Sequence, residues 1–492
     1  MHTETLVEDF DFDYKNQLKG FELSRYTNNK IAPLAFPGSS FLASPFMFLG
    51  KILDRTLEFF LIELEIVNFK IFFYSMSPVV YFLLSILLIS KTLKVLNISF
   101  SPIDIFIFSF GTGISYYAFE RYSMSHVYEM FASSLIFYLS SIFYKNKKTN
   151  FLLTAALPFV LFTGFYIRWI NYYFFIIPII VKKLFFSSSN RNLYKNINFL
   201  ISSLISLAFY LTISKNIYGF YTLNAAKIYG SNLAIDFIEN TAFDINYLFI
   251  LLKKLIIIFT TQEFGIIWFQ TIIFISFITS LFNFLFELII NKKFVSKFFL
   301  VLISFSQIFF IAVSWGGTGS AFGWRYLMSL TPLAIVYYYY NFQNYSKFKT
   351  LHKIVLALSI FSMLSTIFFE TTEKTQLSLV RTENSFGNFA YYVERNFLTG
   401  FLESFTSIEA YYKIFITSFL GLIILKILIS IFSIEIIFKF FENYGLPVDN
   451  EKVVLLFYNV ENISFIYFIV TVGFVSLVTY FFLRYLLYEK NN

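Results

Sequence analysis

The amino-acid sequence predicts an all-α fold, a polytopic transmembrane helical bundle of about twelve spans with outer interfacial helices. Hydrophobic residues make up 57% of the chain and charged residues only 14%, whereas a soluble domain has about 25% charged residues. With so few charges the chain cannot cover a water-facing surface, so lipid is its expected solvent. Apolar stretches of roughly 20 residues, the length that crosses a bilayer as a helix, recur along the chain.

The predicted spans are apolar stretches separated by polar or basic residues. They lie near 71–90, 103–119, 124–143, 151–167, 172–186, 197–215, 264–288, 298–315, 326–342, 354–369, 411–438 and 462–483. Several are short, and 172–186 is the weakest. The segment 247–260 has Lys253 and Lys254 in its middle, and a lysine at bilayer depth costs about 2.5–3.5 kcal/mol. We therefore expect an interfacial helix there, and in parts of 36–66, instead of a span.

The distribution of basic residues predicts the orientation of the bundle. Basic clusters follow the first, third, fifth, seventh and ninth spans, which end on one side if the spans alternate. They are Lys91 and Lys94; Lys145, Lys147 and Lys148; Lys182, Lys183, Arg191 and Lys195; Lys292, Lys293 and Lys297; Lys347, Lys349 and Lys353. Short cytoplasmic loops are enriched in such residues, so this side is predicted to be cytoplasmic. The net charge of +8 has the same origin and does not indicate nucleic-acid binding.

This orientation divides the chain into three regions. Residues 1–70 form an acidic outer loop with interfacial helices, residues 71–345 form the transmembrane core, and residues 346–492 form C-terminal spans with an outer loop at 370–410. A polar segment of this length needs a preceding apolar helix to reach the outer side. We therefore expect a further span upstream of residue 1.

The candidate functional residues are acids near the N-terminus and isolated basic residues at outer span ends. The acids are Glu8, Asp9, Asp11 and Asp13, and the basic residues are Arg121, His126, Arg168 and Arg325. A guanidinium group can bond two phosphate oxygens and stays charged, and a carboxylate can act as a general base. Simpler roles also fit, because arginines at an interface commonly anchor the helix and terminal acids commonly form a solvated patch.

Cysteine is absent from the sequence, which excludes disulfides, thiolate catalysis and cysteine-bound zinc. The three histidines, His2, His126 and His352, are too far apart in sequence to predict a metal site. Glu8 and Asp13 stay open as ligands of a divalent metal.

Six segments, in order along the chain, resemble segments of the membrane-embedded GT-C glycosyltransferases. That group includes protein O-mannosyltransferases and the aminoarabinose transferase of lipid A. The segments are EDFDFDYKN, AFPGSSFLASPFMFLG, SMSHVYEMFASSLIFYL, GFYIRW with IIPII, TTQEFGIIWFQTI and FGWRYLMSLTPLAIV. The resemblance covers about residues 8–340. The family's first span, ahead of its acidic loop, has no counterpart here, and the chain from about 345 matches no part of the pattern.

The resemblance implies an inverting transfer of a sugar from a polyprenyl-phosphate donor to a hydroxyl group of a lipid, glycan or protein. The reaction would take place on the extracytoplasmic face of the inner (plasma) membrane, and a divalent metal is the only cofactor left open. The implied residues are Asp9, then Asp11, as general base, and Arg168, Arg325, Arg121 and His126 as ligands of the donor phosphate.

Two alternatives stay open at this stage. A transporter or flippase for a lipid-linked solute would have charged residues or broken helices near the bilayer midplane. A polymerase or ligase of lipid-linked glycans would share the outer arginines but would not need the acids of the first loop.

Overall fold

The computed structural model describes most of the chain, with gaps between the ranges given next. It describes residues 1–14, 17, 32–33, 36–60, 68–146, 151–168, 170–223, 249, 256, 259, 265–291, 297–314, 325–342, 345–368, 380–382, 390–392, 405–446 and 451–491. The predicted interfacial helix at 247–260 and the predicted outer loop at 370–410 fall largely outside these residues.

The described elements are helices, apart from one short antiparallel pair of strands. The helices are α1 (His2–Glu8), α2 (Gly38–Phe59), α3 (Phe69–Val95), α4 (Pro102–Ser109), α5 (Ser115–Phe119), α6 (His126–Lys145), α7 (Phe151–Ile167), α8 (Ile177–Phe185), α9 (Ile197–Tyr218), α10 (Ile266–Phe269), α11 (Thr271–Asn291), α12 (Lys297–Ser314), α13 (Thr331–Asn341), α14 (Tyr345–Phe368), α15 (Ile408–Thr417), α16 (Phe419–Ile431), α17 (Ile434–Asn443), α18 (Glu451–Glu461) and α19 (Phe465–Asn491). A π turn occupies Phe110–Ile114, and 3₁₀ turns occupy Asn171–Phe175, Leu193–Lys195 and Arg325–Leu330. Strands β1 (Val380–Thr382) and β2 (Ala390–Tyr392) pair with Arg381 opposite Tyr391.

Six helices within the described ranges are long and apolar enough to cross a membrane. They are α3, α6, α9, α11, α14 and α19, and α15 with α16 makes a seventh if the pair counts as one span bent by 74°. A multi-pass membrane protein is therefore the fold class that the helices support.

The other predicted spans correspond to shorter or interrupted helices. Helix α7 has 17 residues, and the predicted span at 103–119 is broken by the π turn, where Gly113 has φ 77°. A side chain rarely adopts this left-handed conformation, so glycine permits the break. The predicted spans at 172–186 and 326–342 each begin with a 3₁₀ turn before α8 and α13, and each of these helices has a proline in its first turn. Proline is tolerated there because the first N–H groups of a helix have no partner within the helix.

Successive helices of the bundle run antiparallel and bring three arginines to one end. The Ser77 hydroxyl, in the third turn of α3, lies 2.6 Å from the Tyr128 hydroxyl, in the first turn of α6. A Cβ atom on Gly38, at the start of α2, would lie 2.4 Å from the backbone nitrogen of Ile167, at the end of α7. We call this end, which holds Arg121, Arg168 and Arg325, the arginine end.

The opposite end holds the described members of the basic clusters, such as Arg191 and Lys297. Arg191 Nη1 donates to the Phe143 carbonyl at 2.6 Å, and Lys297 donates to the Tyr340 hydroxyl at 2.9 Å. His352, on α14, lies 3.1 Å from an Asp104 carboxylate oxygen on α4. We call this the lysine end.

Helices α1 and α2 pack onto the arginine end. Lys51 of α2 donates to the Val7 carbonyl at 2.6 Å, which fixes α1 to α2. The Asp54 carboxylate accepts hydrogen bonds from the backbone N–H groups of Phe69 and Lys70, at 2.7 and 2.9 Å. A carboxylate at a helix N-terminus supplies the partners that these groups lack within the helix. The contact sets α2 against the start of α3.

Candidate functional site

A buried carboxylate organises the arginine end. Glu129, in the first turn of α6, is fully buried, and its Oε1 atom accepts from the Ser125 hydroxyl at 2.9 Å. Arg168 Nη1, just beyond the end of α7, lies 3.3 Å from the same oxygen. Asn171 Nδ2 donates to Oε2 at 3.4 Å. A buried carboxylate is costly unless it is paired, and here Arg168 is the paired cation.

His126 takes part in the same network as a neutral ring. Its Nδ1 atom lies 3.1 Å from Arg168 Nη1, and a guanidinium group can only donate, so Nδ1 is the acceptor and the ring proton lies on Nε2. Nδ1 also lies 3.5 Å from Glu129 Oε1. Because the His126 ring is neutral, this contact is not an ion pair. The ring also packs edge to face on Tyr117, with centroids 4.5 Å apart.

Two arginines lie against one tyrosine ring. The guanidinium carbon of Arg168 lies 4.3 Å from the centroid of the Tyr326 ring, and that of Arg325 lies 5.3 Å from it. Cations favour the face of an aromatic ring. The Nε atom of Arg325 is buried and has no hydrogen-bond partner, and within the described ranges no carboxylate forms an ion pair with Arg325. The group therefore carries excess positive charge and an unused donor, which suits an anion.

Arg121 is linked to this group only indirectly. Its Nε donates to the Tyr116 hydroxyl at 3.0 Å. The rings of Tyr116 and Tyr117 then pack at 5.0 Å, and Tyr117 contacts His126. Of the four basic residues predicted for the site, the structure brings Arg168, His126 and Arg325 together and sets Arg121 at the rim.

The predicted acids lie at the same end but on its surface. Asp9, at the end of α1, is exposed and accepts from Gln17 Nε2 at 2.5 Å. Asp11 is exposed and accepts from the backbone N–H of Asp13 at 2.9 Å. Their described hydrogen bonds thus go to other residues of the same segment and not to the arginines.

Tyr14 ties this acidic segment to the neighbourhood of Arg168. It is fully buried in a cluster with Tyr166, two residues before Arg168, and its hydroxyl lies 2.6 Å from His2 Nδ1. Burial, followed by the nearby Tyr166 and Asp11, raises the pKa of the Tyr14 phenol.

Glu8 differs from the other acids because two lysines hold it. Its carboxylate oxygens lie 2.9 Å from Lys51 Nζ and 2.8 Å from Lys70 Nζ. Partial burial acts to raise the pKa of Glu8, but the hydrogen bonds and charges of Lys70 and Lys51 outweigh it and lower the pKa below its ordinary value. Glu8 is therefore a structural ion-pair partner. Among the described residues no three His, Asp or Glu side chains are grouped to hold a metal ion, Glu8 and Asp13 included.

A second polar cluster joins the interrupted helices inside the bundle. The Thr331 hydroxyl, at the start of α13, donates to the Thr112 hydroxyl of the π turn at 3.4 Å. Gln270 Nε2, between α10 and α11, donates to the Thr112 carbonyl at 3.1 Å. All three side chains are buried and uncharged. Such contacts satisfy backbone groups that a helix break sets free in an apolar environment.

Comparisons of the chain with protein-family models, with curated proteins and with solved structures find no match.

Sequence reasoning missed the acid at the centre of this site. Glu129 lies three residues after His126 and therefore on the same face of α6. It is an ionisable residue inside an apolar segment, a feature that usually marks a functional or paired group in a membrane helix. That signal was present in the sequence. Tyr326 and Asn171 carried no comparable signal, because tyrosine and asparagine are common in this chain.

Proposed function

We propose that this chain is a GT-C-type membrane glycosyltransferase that moves a sugar from a polyprenyl-phosphate donor to a hydroxyl group of an extracytoplasmic acceptor. The acceptor is a lipid, a glycan or a protein. In this proposal the chain crosses the inner (plasma) membrane about twelve times, with the shorter and interrupted helices crossing beside the long ones. The arginine end faces outward and the lysine end faces the cytoplasm.

The observation that carries the proposal is the placement of two guanidinium groups against the single ring of Tyr326. Arg168 and Arg325 bring two positive charges, and Glu129 compensates one of them. Such forked donors bind carboxylates and phosphates through two parallel hydrogen bonds, and the phosphate of a polyprenyl-phosphate donor is an anion of this kind. The positive charge would also stabilise the phosphate as it leaves the sugar.

Glu129 and His126 act in this proposal as positioning residues. Arg168 receives its orientation from the Glu129 carboxylate and the His126 ring on one side and from Tyr326 on the other. A guanidinium group fixed in this way loses little freedom when the donor binds. Arg121 would extend the positive charge towards the rim.

Asp9 is the proposed general base, and Asp11 is the second choice. An exposed carboxylate at the arginine end can meet an acceptor hydroxyl that arrives from the water phase. The base takes the hydroxyl proton, the oxygen attacks the anomeric carbon, and the bond from that carbon to the phosphate oxygen breaks. The bond electrons leave with the phosphate, which needs no added proton. Glu8 is unsuited to this role, because Lys51 and Lys70 hold its pKa low.

The test is transfer from a radiolabelled polyprenyl-phosphate sugar in membranes that contain the variant proteins. Asp9→Asn should lower the transfer rate by about 10²–10⁴-fold while donor binding is kept, because an amide cannot accept the proton. Asp13→Asn is the matched control, since it makes the same change in the same exposed segment. Normal transfer by both Asp9→Asn and Asp11→Asn would reject the proposed base. Transfer that survives these changes while Arg325→Ala abolishes it would favour the polymerase or ligase alternative.

Sidedness has its own test, because the chain contains no cysteine. A cysteine in place of Asn146, at the lysine end, should resist an impermeant thiol reagent in intact cells. A cysteine in place of Ser123, exposed at the arginine end, should react. The reverse pattern would place the candidate site on the cytoplasmic side and overturn the proposed topology.

A transporter or flippase is the second candidate function. The interrupted helices that meet at Thr112, Thr331 and Gln270 favour it, because broken helices commonly form substrate sites in transporters. The side chains that join them are uncharged, however, so they offer an anionic substrate no compensating positive charge. Purified protein in liposomes separates the two functions. Movement of a labelled lipid-linked sugar between leaflets, without transfer of the sugar and unaffected by Asp9→Asn, would establish the transporter.

A further inference from the structure

A cavity of about 500 Å³ lies at the lysine end, on the far side of the bundle from the candidate site. It is formed by the end of α6, the last turns of α8 and the segment that follows α8. The residues that line it include Tyr144, Ile179, Lys182, Lys183, Ser189 and Asn192. Its volume falls in the range of about 300–1,000 Å³ that is usual for small-molecule sites.

The charge around this cavity has one sign. The sequence contains no aspartate or glutamate between residues 130 and 235, so no acid of α6 beyond Glu129, of α7, α8 or α9 offers compensation. Lys182 and Lys183 form no ion pair with any residue in the described ranges of the chain. Lysines in the last turn of α8 do favour the helix dipole, but that role needs neither a cavity nor further donors. Unpaired ammonium groups beside a cavity favour an anionic ligand.

Neutral donors in the same cavity favour an oxyanion. The Ser189 hydroxyl accepts from the backbone N–H of Arg191 at 3.3 Å, which leaves its own hydrogen for a ligand. Asn192 uses its Oδ1 atom as an acceptor for the Tyr194 N–H at 3.1 Å, and its Nδ2 group is not needed for that turn. Arg191 donates from Nη1 to the Phe143 carbonyl, and its guanidinium carbon lies 4.3 Å from the centroid of the Phe143 ring. Its buried Nη2 atom has no hydrogen-bond partner among the described residues. Hydroxyl, amide and ammonium donors together suit phosphate oxygens.

We propose that this cavity binds a phosphate group, and that the source is the headgroup of an anionic phospholipid in the leaflet at the lysine end. The ends of membrane-spanning helices lie at the depth of lipid phosphates, and basic pockets between such helices bind anionic headgroups. Ile179, one turn before the lysines on α8, supplies an apolar wall towards the lipid chains. Free phosphate has the same chemistry and is distinguished by the experiment. The proposal does not depend on the glycosyltransferase proposal, because the two sites share no residue.

The experiment measures the binding of radiolabelled phosphatidylglycerol to the full chain in mixed micelles with phosphatidylcholine. The variant is Lys182→Gln with Lys183→Gln, and the matched control is Lys91→Gln with Lys94→Gln. The control removes the same charge from exposed lysines at the same end. We expect about thirtyfold weaker binding in the variant, or about 1 kcal/mol for each lysine, and an unchanged control. Lys182→Arg with Lys183→Arg keeps the charge and should bind normally, which separates loss of the ligand from misfolding.

Competition with inorganic phosphate then identifies the source. If phosphate in excess fails to displace the lipid, the headgroup is the ligand as proposed. If phosphate displaces it and binds alone with similar affinity, the cavity is a site for free phosphate and the lipid assignment is rejected. Equal losses in the variant and the control would mean that general surface charge attracts the lipid, and an unchanged variant would mean that the cavity is no site; either result overturns the proposal.

Discussion

The two ends of the bundle use basic residues in opposite ways. At the arginine end, Arg168 is only 18% exposed and meets a carboxylate, an imidazole and a tyrosine ring. At the lysine end, Lys91, Lys94 and Lys145 are exposed and lie at the ends of helices. An exposed lysine in a short loop helps to keep that loop on the cytoplasmic side and needs no partner in the protein. A largely buried arginine persists only where partners are built around it, so the arginine end has the character of a site.

The same contrast separates the lysines of the lysine end from one another. The cavity beside Lys182 and Lys183 is the one place at the lysine end where we assign a ligand, because hydroxyl and amide donors accompany the charges there. Elsewhere at that end, Lys91 and Lys94 are exposed, and Lys297 lies between the rings of Tyr340 and Phe298. Partners and burial, more than charge alone, separate a binding residue from an anchor.

The largest effect on stability should follow the loss of the buried carboxylate. Glu129→Gln keeps the shape of the side chain but leaves Arg168 without its charge partner, which should lower the free energy of unfolding by about 3 kcal/mol. Glu58→Gln removes an exposed acid at the same end and should cost less than about 0.5 kcal/mol. Titration with a denaturing detergent measures both. Equal stability of the two variants would mean that the Glu129–Arg168 pair contributes no more to folding than an exposed acid does.

A close backbone contact should give the next effect. In Gly38→Ala the new Cβ atom would lie 2.4 Å from the Ile167 backbone nitrogen, so α2 has to move away from α7 next to Arg168. We expect a loss of about 1–3 kcal/mol in the free energy of unfolding. Gly473→Ala, on α19, meets nothing within 4 Å and should be neutral or stabilising by up to about 1 kcal/mol. A neutral Gly38→Ala would contradict the tight packing of α2 on α7.

The Glu8 ion pairs should make the junction of α1, α2 and α3 sensitive to acid. The folded pKa of Glu8 lies below its ordinary value of 4.5, so the pairs stabilise the folded chain above that pH and the contribution is lost as the pH falls through the folded pKa. Glu8→Gln should remove this part of the acid dependence while Glu58→Gln keeps it. Thermal unfolding between neutral pH and pH values below 4.5 measures the difference. If the unfolding temperatures of wild type and Glu8→Gln fell in parallel with pH, the ion pairs of Glu8 would contribute nothing to stability.

The smallest effect belongs to the exposed lysines. Lys91→Gln and Lys94→Gln should each change the free energy of unfolding by less than about 0.5 kcal/mol, because these side chains are exposed at the end of α3. The same denaturing-detergent titration applies. A loss as large as that of Glu129→Gln would remove the distinction between the two ends.

Composition and span length were enough to predict the fold class, because both follow from the solvent that surrounds the chain. Six predicted spans correspond to helices long enough to cross a membrane. The breaks at Gly113 and before Thr331 could not be placed from the sequence, since they depend on contacts such as that of Gln270 with the Thr112 carbonyl. A hydropathy pattern records apolar length and does not record which backbone groups find a distant partner.

The candidate site was predictable in part for a similar reason. Arg168 and Arg325 stood out because each is an isolated arginine at the outer end of a predicted span, and the structure does bring them to one ring. Glu129 carried a local signal as an acid in an apolar segment, but its pairing with Arg168 and the role of Tyr326 depend on contacts between helices far apart in sequence. Asp9 and Asp11 share the end with the arginines, and their part in catalysis stays a prediction.

The central claim is that Arg168 and Arg325 bind the donor phosphate together. A double-mutant cycle of the two arginines, with donor binding as the readout, tests it most directly. The measurement is equilibrium binding of a radiolabelled polyprenyl-phosphate sugar to wild type, Arg168→Ala, Arg325→Ala and the double variant, with Arg55→Ala, an exposed arginine on α2, as control. Each single change should weaken binding by about 1.5–3 kcal/mol, the value of a charge-assisted hydrogen bond, and the two losses should be non-additive because both groups bind one phosphate. Wild-type affinity in Arg168→Ala and Arg325→Ala would contradict a phosphate site at Tyr326.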